Sequence, residues 1–409
     1  MRYIKPTFYD AFNCTAAKCP DTCCAGWQIM IDEDSLERYG EVQGAFGKRL
    51  RNSIDWQEGC FYQHQRRCAF LNEQNLCDLY TALGSEALCE TCRKYPRHVE
   101  EYEGLREWSL SLSCPVAAEL ILSQQGFPEF IIEEDDEPDE LEEEFEDFDL
   151  LLFTQLEDAR SAVFRHLGQD AEAADQPGDA DTMHRAEEAD ISVGSSFLCP
   201  NMNRALALAK KMQECLEEGR FFAIEDMIMA YEEPVEKPAN EPGQESSEVL
   251  EVESPFNPEF TSALYEQKLQ IYQTIHDLER LRPEWSGVLA EMYQTLYVGG
   301  EEHYARLKKE FEEYFSESPK RQRQWENTGL QLFVFFVYTY FCGAVYDDWI
   351  YSKMALAVHS VEFIGELLMA RWKQNGKLER NDYVELSYRY AREIEHSDQN
   401  LNQLEEAFA

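Results

Sequence analysis

The stretch Leu330-Gln331-Leu332-Phe333-Val334-Phe335-Phe336-Val337-Tyr338-Thr339-Tyr340-Phe341-Cys342-Gly343-Ala344-Val345-Tyr346 is apolar enough to pass for a membrane span. It runs only about 17 residues, the lower limit for crossing a bilayer. It carries Gln331, several tyrosines and Gly343, and Asp347-Asp348 follow at once. It therefore reads as a buried core helix of a globular protein, with no membrane partner. Upstream, Leu264, Ile271, Ile275 and Leu278 form an amphipathic stripe that stops before Pro283. Helices are also expected at 286–297, 301–315, 326–346, 348–374 and 381–395, and earlier at 150–167 and 205–216. Residues 168–190 are polar, with Gly168, Pro177 and Gly178, and read as a loop.

The N-terminal part differs. Asp34–Tyr39 reads as a short helix with Asp32 or Asp34 as cap, while 26–31 and 105–113 read as strands. The expected fold is thus mainly α, with a small cysteine-rich α+β metal-binding module at the N-terminus followed by a helical domain. Its segments are a cysteine-rich module at 1–115, an acidic linker at 116–149 and a helical segment at 150–231. A Pro/Glu-rich linker follows at 232–258, then a helical domain at 259–409.

Lys+Arg 37 against Asp+Glu 80 gives a net charge of −43. That argues against a nucleic-acid partner, since phosphate contacts need a basic face. It favours a cationic partner through long-range attraction. The acidity is uneven: residues 1–115 hold 13 basic and 17 acidic residues, and the remainder holds 24 and 63. Residues 133–149 contain 13 Asp or Glu in 17 positions, interrupted by Leu141, Phe145 and Phe148 at helical spacing. These three read as apolar touch-down points, or else the run is a plain acidic spacer. The chain starts with no apolar run before Asp10, so a cytoplasmic location is expected.

Ten of the 13 cysteines lie in the first 114 residues. In a reducing compartment these are thiols or metal ligands, not disulfides. The pattern is C-x4-C-x3-C-C at 14–24, C-x8-C at 68–77 and C-x2-C at 89–92, with Cys114-Pro115 closing the module. Leaving out Cys60 and Cys114, eight thiols remain: Cys14, Cys19, Cys23, Cys24, Cys68, Cys77, Cys89 and Cys92. Eight suffice for two four-thiolate sites, or for one cluster plus several buried thiols. Thiolate suits both zinc and iron–sulfur, and spacing does not separate them. Neighbouring side chains in extended chain point to opposite sides, so Cys23 and Cys24 either serve two sites or require a turn. His64 and His98 lie near the cysteines in sequence. The chain has no G-x-G, Walker A, G-x-S-x-G or H-E-x-x-H, which disfavours the common enzyme classes those motifs mark.

Four runs carry a resemblance: Cys14-x4-Cys19-x3-Cys23-Cys24-Ala25-Gly26-Trp27, Cys68-Ala69-Phe70-Leu71, Leu76-Cys77-Asp78-Leu79-Tyr80, and Cys89-Glu90-Thr91-Cys92-Arg93-Lys94-Tyr95-Pro96-Arg97. Together they closely resemble the flagellin lysine-N-methylase family. Other cysteine-cluster proteins share the adjacent pair, while the Gly-Trp and Tyr-Pro-Arg elements look like the methylase branch. The strong likeness covers about residues 1–115, and a weaker one covers the helices around Glu326-Asn327. The resemblance implies a cytoplasmic lysine N-methyltransferase that moves methyl groups from S-adenosylmethionine to lysines of flagellin. It also implies an iron–sulfur cluster (4Fe-4S), in preference to zinc. The ligand role it implies falls on Cys19, Cys23, Cys24, Cys68, Cys77, Cys89 and Cys92, and beyond these on Cys14 and Cys114. It maps no residue to the methyl-donor site or to a catalytic base. The alternative reading is a non-catalytic iron–sulfur or zinc protein for redox or metal handling. Arg97, just after the cysteine pair, is expected either to offset cluster charge or to pair with a surface carboxylate.

Overall fold

The structure, a computed structural model, describes residues 1–136, 148–175, 200–233 and 258–409. A four-stranded sheet is formed by β1 (Arg2–Pro6), β6 (Arg97–Tyr102), β7 (Leu105–Leu110) and β8 (Phe130–Glu134), in the order β6-β7-β1-β8. β1 pairs parallel with β7 and antiparallel with β8, and β6 and β7 form a hairpin. Between β1 and β6 lies the cysteine-rich lobe. It holds α1 (Glu33–Glu41), α2 (Gly44–Asn52), α3 (Asp78–Leu83) and α4 (Glu90–Lys94). Its two small hairpins pair β2 (Ile54–Asp55) with β3 (Cys60–Phe61), and β4 (Gln63–His64) with β5 (Arg67–Cys68). The lobe has its own core, with Ile29, Tyr39, Leu50, Phe61, Phe70 and Leu79 packed beside Cys68 and Cys89. Asp32 caps α1 by accepting from Ser35 N, as its position before the helix leads one to expect.

The rest is helical: α5 (Pro115–Ser123), α6 (Leu150–Asp175), α7 (Pro200–Glu217), α8 (Ala223–Glu232), α9 (Pro258–Asp277), α10 (Pro283–Leu296), α11 (Gly300–Ser316), α12 (Pro319–Tyr340), α13 (Ile350–Asn375), α14 (Arg380–Glu395) and α15 (Asp398–Ala407). The protein is therefore mainly α, as the sequence implies. Proline opens α5, α10 and α12, where its missing N–H costs nothing. The apolar stretch at 330–346 forms the second half of α12 and the short helical turn after it, and most of it is buried inside the protein. A helix apolar on every side belongs in a large core, and α12 packs there against α13. Tyr102, Leu105 and Leu112 join the same core, so the sheet is continuous with the helices.

Some expectations shift. Residues 26–31 form no regular strand, only an isolated bridge at Met30, with another at the adjoining Ala25. Gly26 sits at φ +94° and turns the chain, with the Arg282 side chain packed against it. The helix that starts at Leu150 continues through Gly168 to Asp175; a Cβ added at Gly168 would meet the Phe127 side chain only at an ordinary contact distance of 3.7 Å, so the position does not demand glycine. The remainder of the loop expected at 168–190 lies outside the described residues. So do Leu141 and Phe145, whereas Phe148 packs on Phe153 and Tyr346.

One buried ion pair ties sheet to helices. Glu107 of β7 accepts two hydrogen bonds from Arg160 of α6, at 2.5 and 2.6 Å, and both side chains are buried. Removing one partner strands the other charge, which typically costs about 3–5 kcal/mol, while an apolar pair of similar volume is often tolerated. Arg160→Met is expected to lower unfolding stability in urea by about that amount, and the Glu107→Leu/Arg160→Met double variant to recover most of it.

Candidate functional site

The loop from Cys14 to Trp27 is held by its own polar groups. Ala16 N donates to Cys14 Sγ at 3.4 Å, Cys19 Sγ to Asp21 O at 2.9 Å, and Cys24 N to Thr22 Oγ1 at 3.1 Å. Trp27 Nε1 donates to Cys23 O at 2.7 Å, and Cys68 N donates to Cys24 O at 3.0 Å. The nine candidate cysteines fall into two groups that are joined through the adjacent Cys23 and Cys24. Cys23 feels the charge of Cys14 and Cys114, and Cys114 that of Cys19. Cys92 feels Cys24, Cys68 and Cys89, while Cys77 feels Cys24. The thiols of Cys23 and Cys24 act most strongly on each other, and so do those of Cys89 and Cys92. Within the first pair the interaction of the two side chains raises Cys23 and lowers Cys24 to about 7, with Thr22, Arg282 and Arg67 also favouring the Cys24 thiolate. Cys89 is lowered in the same way by Cys92. Burial pushes Cys68 up to about 12 and Cys114 to about 11, and it raises Cys19 and Cys77.

By donor chemistry this set suits a thiolate-bound metal: the donors are soft sulfurs, and two of them are biased toward thiolate. Their placement is in pairs. Among the described residues, no three Cys, His, Asp or Glu side chains stand close enough together to hold a metal ion. His64 is exposed on β4, and His98 Nε2 lies 2.6 Å from Glu100 Oε1. Cys60 accepts from Gln28 Nε2 at 3.2 Å.

The structure adds residues that the sequence did not single out. The C-terminal end of α14 reaches across to the cysteine loop. Arg392 pairs with Asp21 Oδ2 at 2.5 Å and donates to Ser113 O at 2.8 Å and Asp21 O at 3.1 Å. Arg282, just before α10, donates to Thr22 O at 2.6 Å and lies 3.5 Å from Asp21 Oδ1. Glu393 accepts from the backbone N–H groups of Leu281 and Arg282, and Glu395 from those of Leu112 and Ser113. These arginines bear on the thiols, favouring thiolate at Cys24 (Arg282) and at Cys19 and Cys114 (Arg392). Arg97 goes elsewhere: its guanidinium lies over the rings of Tyr9 and Phe12, at 5.8 and 5.2 Å.

The Gly-Trp and Tyr-Pro-Arg elements meet at this junction. The His396 ring stacks on Trp27 at 4.6 Å and lies 5.6 Å from Tyr95, with Trp27 and Tyr95 5.9 Å apart. Burial, reinforced by Arg392 and Arg282, holds the imidazole well below its usual range and therefore neutral. No signal in the sequence pointed to His396, because it lies 369 positions from Trp27 (396 − 27).

Residues 201–409, just over half of the chain, match the FliB lysine N-methylase C-terminal domain. The chain belongs to the FliB lysine N-methylase family. The flagellar biosynthetic protein FliU of Salmonella muenchen is 30% identical over 128 residues, which is 29% of this chain and 76% of that protein. Lysine-N-methylases of Salmonella typhimurium strain LT2 and Salmonella choleraesuis strain SC-B67 are each 30% identical over 128 residues, again 29% of this chain. That match spans 32% of each of those two proteins. No solved structure matches the chain. The matched domain contains Arg282, Arg392 and His396, and the cysteine-rich lobe lies outside it.

Glu393 offers a test of the junction's burial. Desolvation lifts its carboxyl to about 7, against the opposing effect of its two backbone donors. An unfolded Glu titrates near ~4.3, so between these values the folded state binds more protons. Stability is therefore fully present below about pH 4.3 and is lost as pH rises through about 7. Urea unfolding from pH 4.5 to 7.5 is expected to show a steeper decline for the parent chain than for Glu393→Gln.

Proposed function

We propose that this chain transfers methyl groups from S-adenosylmethionine to lysine side chains of flagellin, in the cytoplasm before export. The observation that carries the reading is the match of 201–409 to the FliB lysine N-methylase C-terminal domain. Relatives named lysine-N-methylase and a flagellar biosynthetic protein support it. We also infer that the cysteine-rich lobe holds a thiolate-bound metal, an iron–sulfur cluster in preference to zinc. The candidate ligands are Cys19, Cys23, Cys24, Cys68, Cys77, Cys89 and Cys92, with Cys14 and Cys114 beside them; as placed, no three of them stand close enough to share one metal ion, so loading would require them to draw together. The metal's contribution on this reading is to staple a lobe whose hairpins are two residues per strand.

The chemistry sets two requirements. Free lysine has a pKa of about 10.4, so the protein must favour the neutral amine. Nitrogen and methyl carbon must then be held in line, largely a matter of proximity. Bound S-adenosylmethionine supplies an electrophilic methyl on a sulfonium. Both reactants arrive as cations, and aromatic faces and carboxylates are the side chains that receive cations. The net charge of −43 attracts a lysine-bearing protein at long range.

Co-expression with the flagellin of the same organism, followed by mass spectrometry of that flagellin, tests the reading. The expected result is mass steps of one methyl on lysine, lost when Cys23→Ala replaces the parent chain. Unmodified flagellin beside a soluble, metal-loaded protein would overturn it in favour of redox or metal handling.

A further inference from the structure

Helix α8 packs against α6 and α7 through Ile224, Ile228 and Tyr231. Its opposite side faces solvent. Phe222 and Met229 stand there two turns apart, 78% and 58% exposed, and Phe222 is the most exposed large apolar side chain among the described residues. Phe221 extends the apolar surface at the N-terminal end of the helix. Gln155 of α6 donates to Phe221 O at 2.9 Å, and Leu151, also exposed, stands one turn before Gln155 on the same side of α6. Large apolar side chains grouped in water on a folded domain mark an interaction site.

The same side carries Glu225, Asp226 and Glu233, all exposed. None of the three joins an ion pair among the described residues, whereas the two arginines at the rim are already used, Arg165 on Glu232 and Arg220 on Glu218. Apolar anchors among unspent carboxylates call for an apolar partner with positive flanks. An anionic membrane or a nucleic acid would be repelled. A second copy meeting this face about a two-fold axis would set the same carboxylates against each other. The stretches that border α7 and α8 in sequence are acidic too: residues 176–199 hold five acidic residues and one basic, and 234–257 hold six and one. Spacing adds a shape. Seven residues of helix separate Phe222 from Met229 by about 10 Å. A helix laid alongside offers side chains at that same interval, whereas a strand offers them on one face every ~7 Å.

We propose that the exposed side of α8 docks a lysine-bearing amphipathic helix of the protein substrate. The apolar stripe of that helix lies on Phe221, Phe222 and Met229, and its lysines face Glu225, Asp226 and Glu233. The proposal rests on the methyl-transfer reading above and names the surface that captures the substrate, with no reacting group on it. α8 lies inside the stretch matched to the FliB lysine N-methylase C-terminal domain, so the docking face belongs to the part of the chain that carries the family likeness. Its charge pairs are exposed, so salt weakens the contact, while the apolar anchors set which face of the incoming helix is bound.

These side chains are exposed, so exchanging them leaves the core intact. Phe222→Ser/Met229→Gln removes the anchors, and Glu225→Gln/Asp226→Asn removes two charges at constant volume. Val298→Ser, at a residue as exposed as Met229 but elsewhere in the helical domain, is the control. With purified protein, flagellin and labelled S-adenosylmethionine, the anchor variant is expected to raise KM for flagellin at least tenfold and to keep kcat. The charge variant is expected to raise it about threefold, and less at high salt. An unchanged KM in the anchor variant, or the same rise in the control, would overturn the proposal. A second readout needs no turnover. A fluorescein-labelled amphipathic helical peptide of leucine and lysine alone is expected to bind the parent, measured by anisotropy, and to bind the anchor variant at least tenfold more weakly. Equal binding by the two would overturn the docking face. So would a parent that sediments as a dimer beside an anchor variant that sediments as a monomer, since a second copy would then be the occupant. Absence of methyl transfer by the parent itself would sink the methylase reading, and the peptide titration would then decide the face alone.

Discussion

Arg392 is a buried cation on the last turn of α14, 1% exposed, and a charge so placed must be paired where it stands. Its partner is Asp21, in the middle of the cysteine loop. Much else at the junction follows from that pairing. It brings Thr22 within reach of Arg282 and brings residues 23–27 against the helices. Arg282 then occupies the space beside Gly26, where a Cβ would come within 2.8 Å of its Nε, so only glycine fits the turn. The turn aims Trp27 at His396. Glu393 and Glu395, flanking Arg392 within three residues, grip two other segments through their backbone N–H groups.

The same junction gives the cysteines their electrostatic setting. Clustered thiolates repel one another and are stable only with positive charge or metal nearby. The helical domain supplies Arg282 and Arg392, and the lobe itself supplies Arg67. An acidic helical body thus presents two of its arginines where the thiols lie. Charge in this chain is organised locally, against the sign of the whole.

The helices were legible because their signals are local. Apolar periodicity, as in Leu264, Ile271, Ile275 and Leu278, and the stop before Pro283 sit within a few residues of the features they mark. The mid-polar apolar stretch at 330–346 could be read as core from Gln331, the tyrosines and the following aspartates. The 26–31 segment misled because its apolar residues do not show that the chain turns at Gly26, φ +94°, where the distant Arg282 packs. Gly168 misled in the opposite direction, since glycine reads as a break and here lies comfortably in α6. The cysteine runs and the Gly-Trp and Tyr-Pro-Arg elements were visible, but their meeting point was not. Trp27 and Tyr95 converge only on His396, which is contributed by the far end of the chain, and nothing near His396 in sequence marks it. Arg97 was conspicuous for its position beside Cys92, yet the arginines that reach the thiols are Arg282 and Arg392.

The central claim is that the helical domain holds the cysteine loop in place through Arg392. Hydrogen–deuterium exchange of Arg392→Ala beside the parent chain tests it most directly. Loss of protection confined to residues 19–27 and 112–114, with α12 and α13 as slow as before, is the result predicted. Unchanged exchange in the loop would contradict the claim.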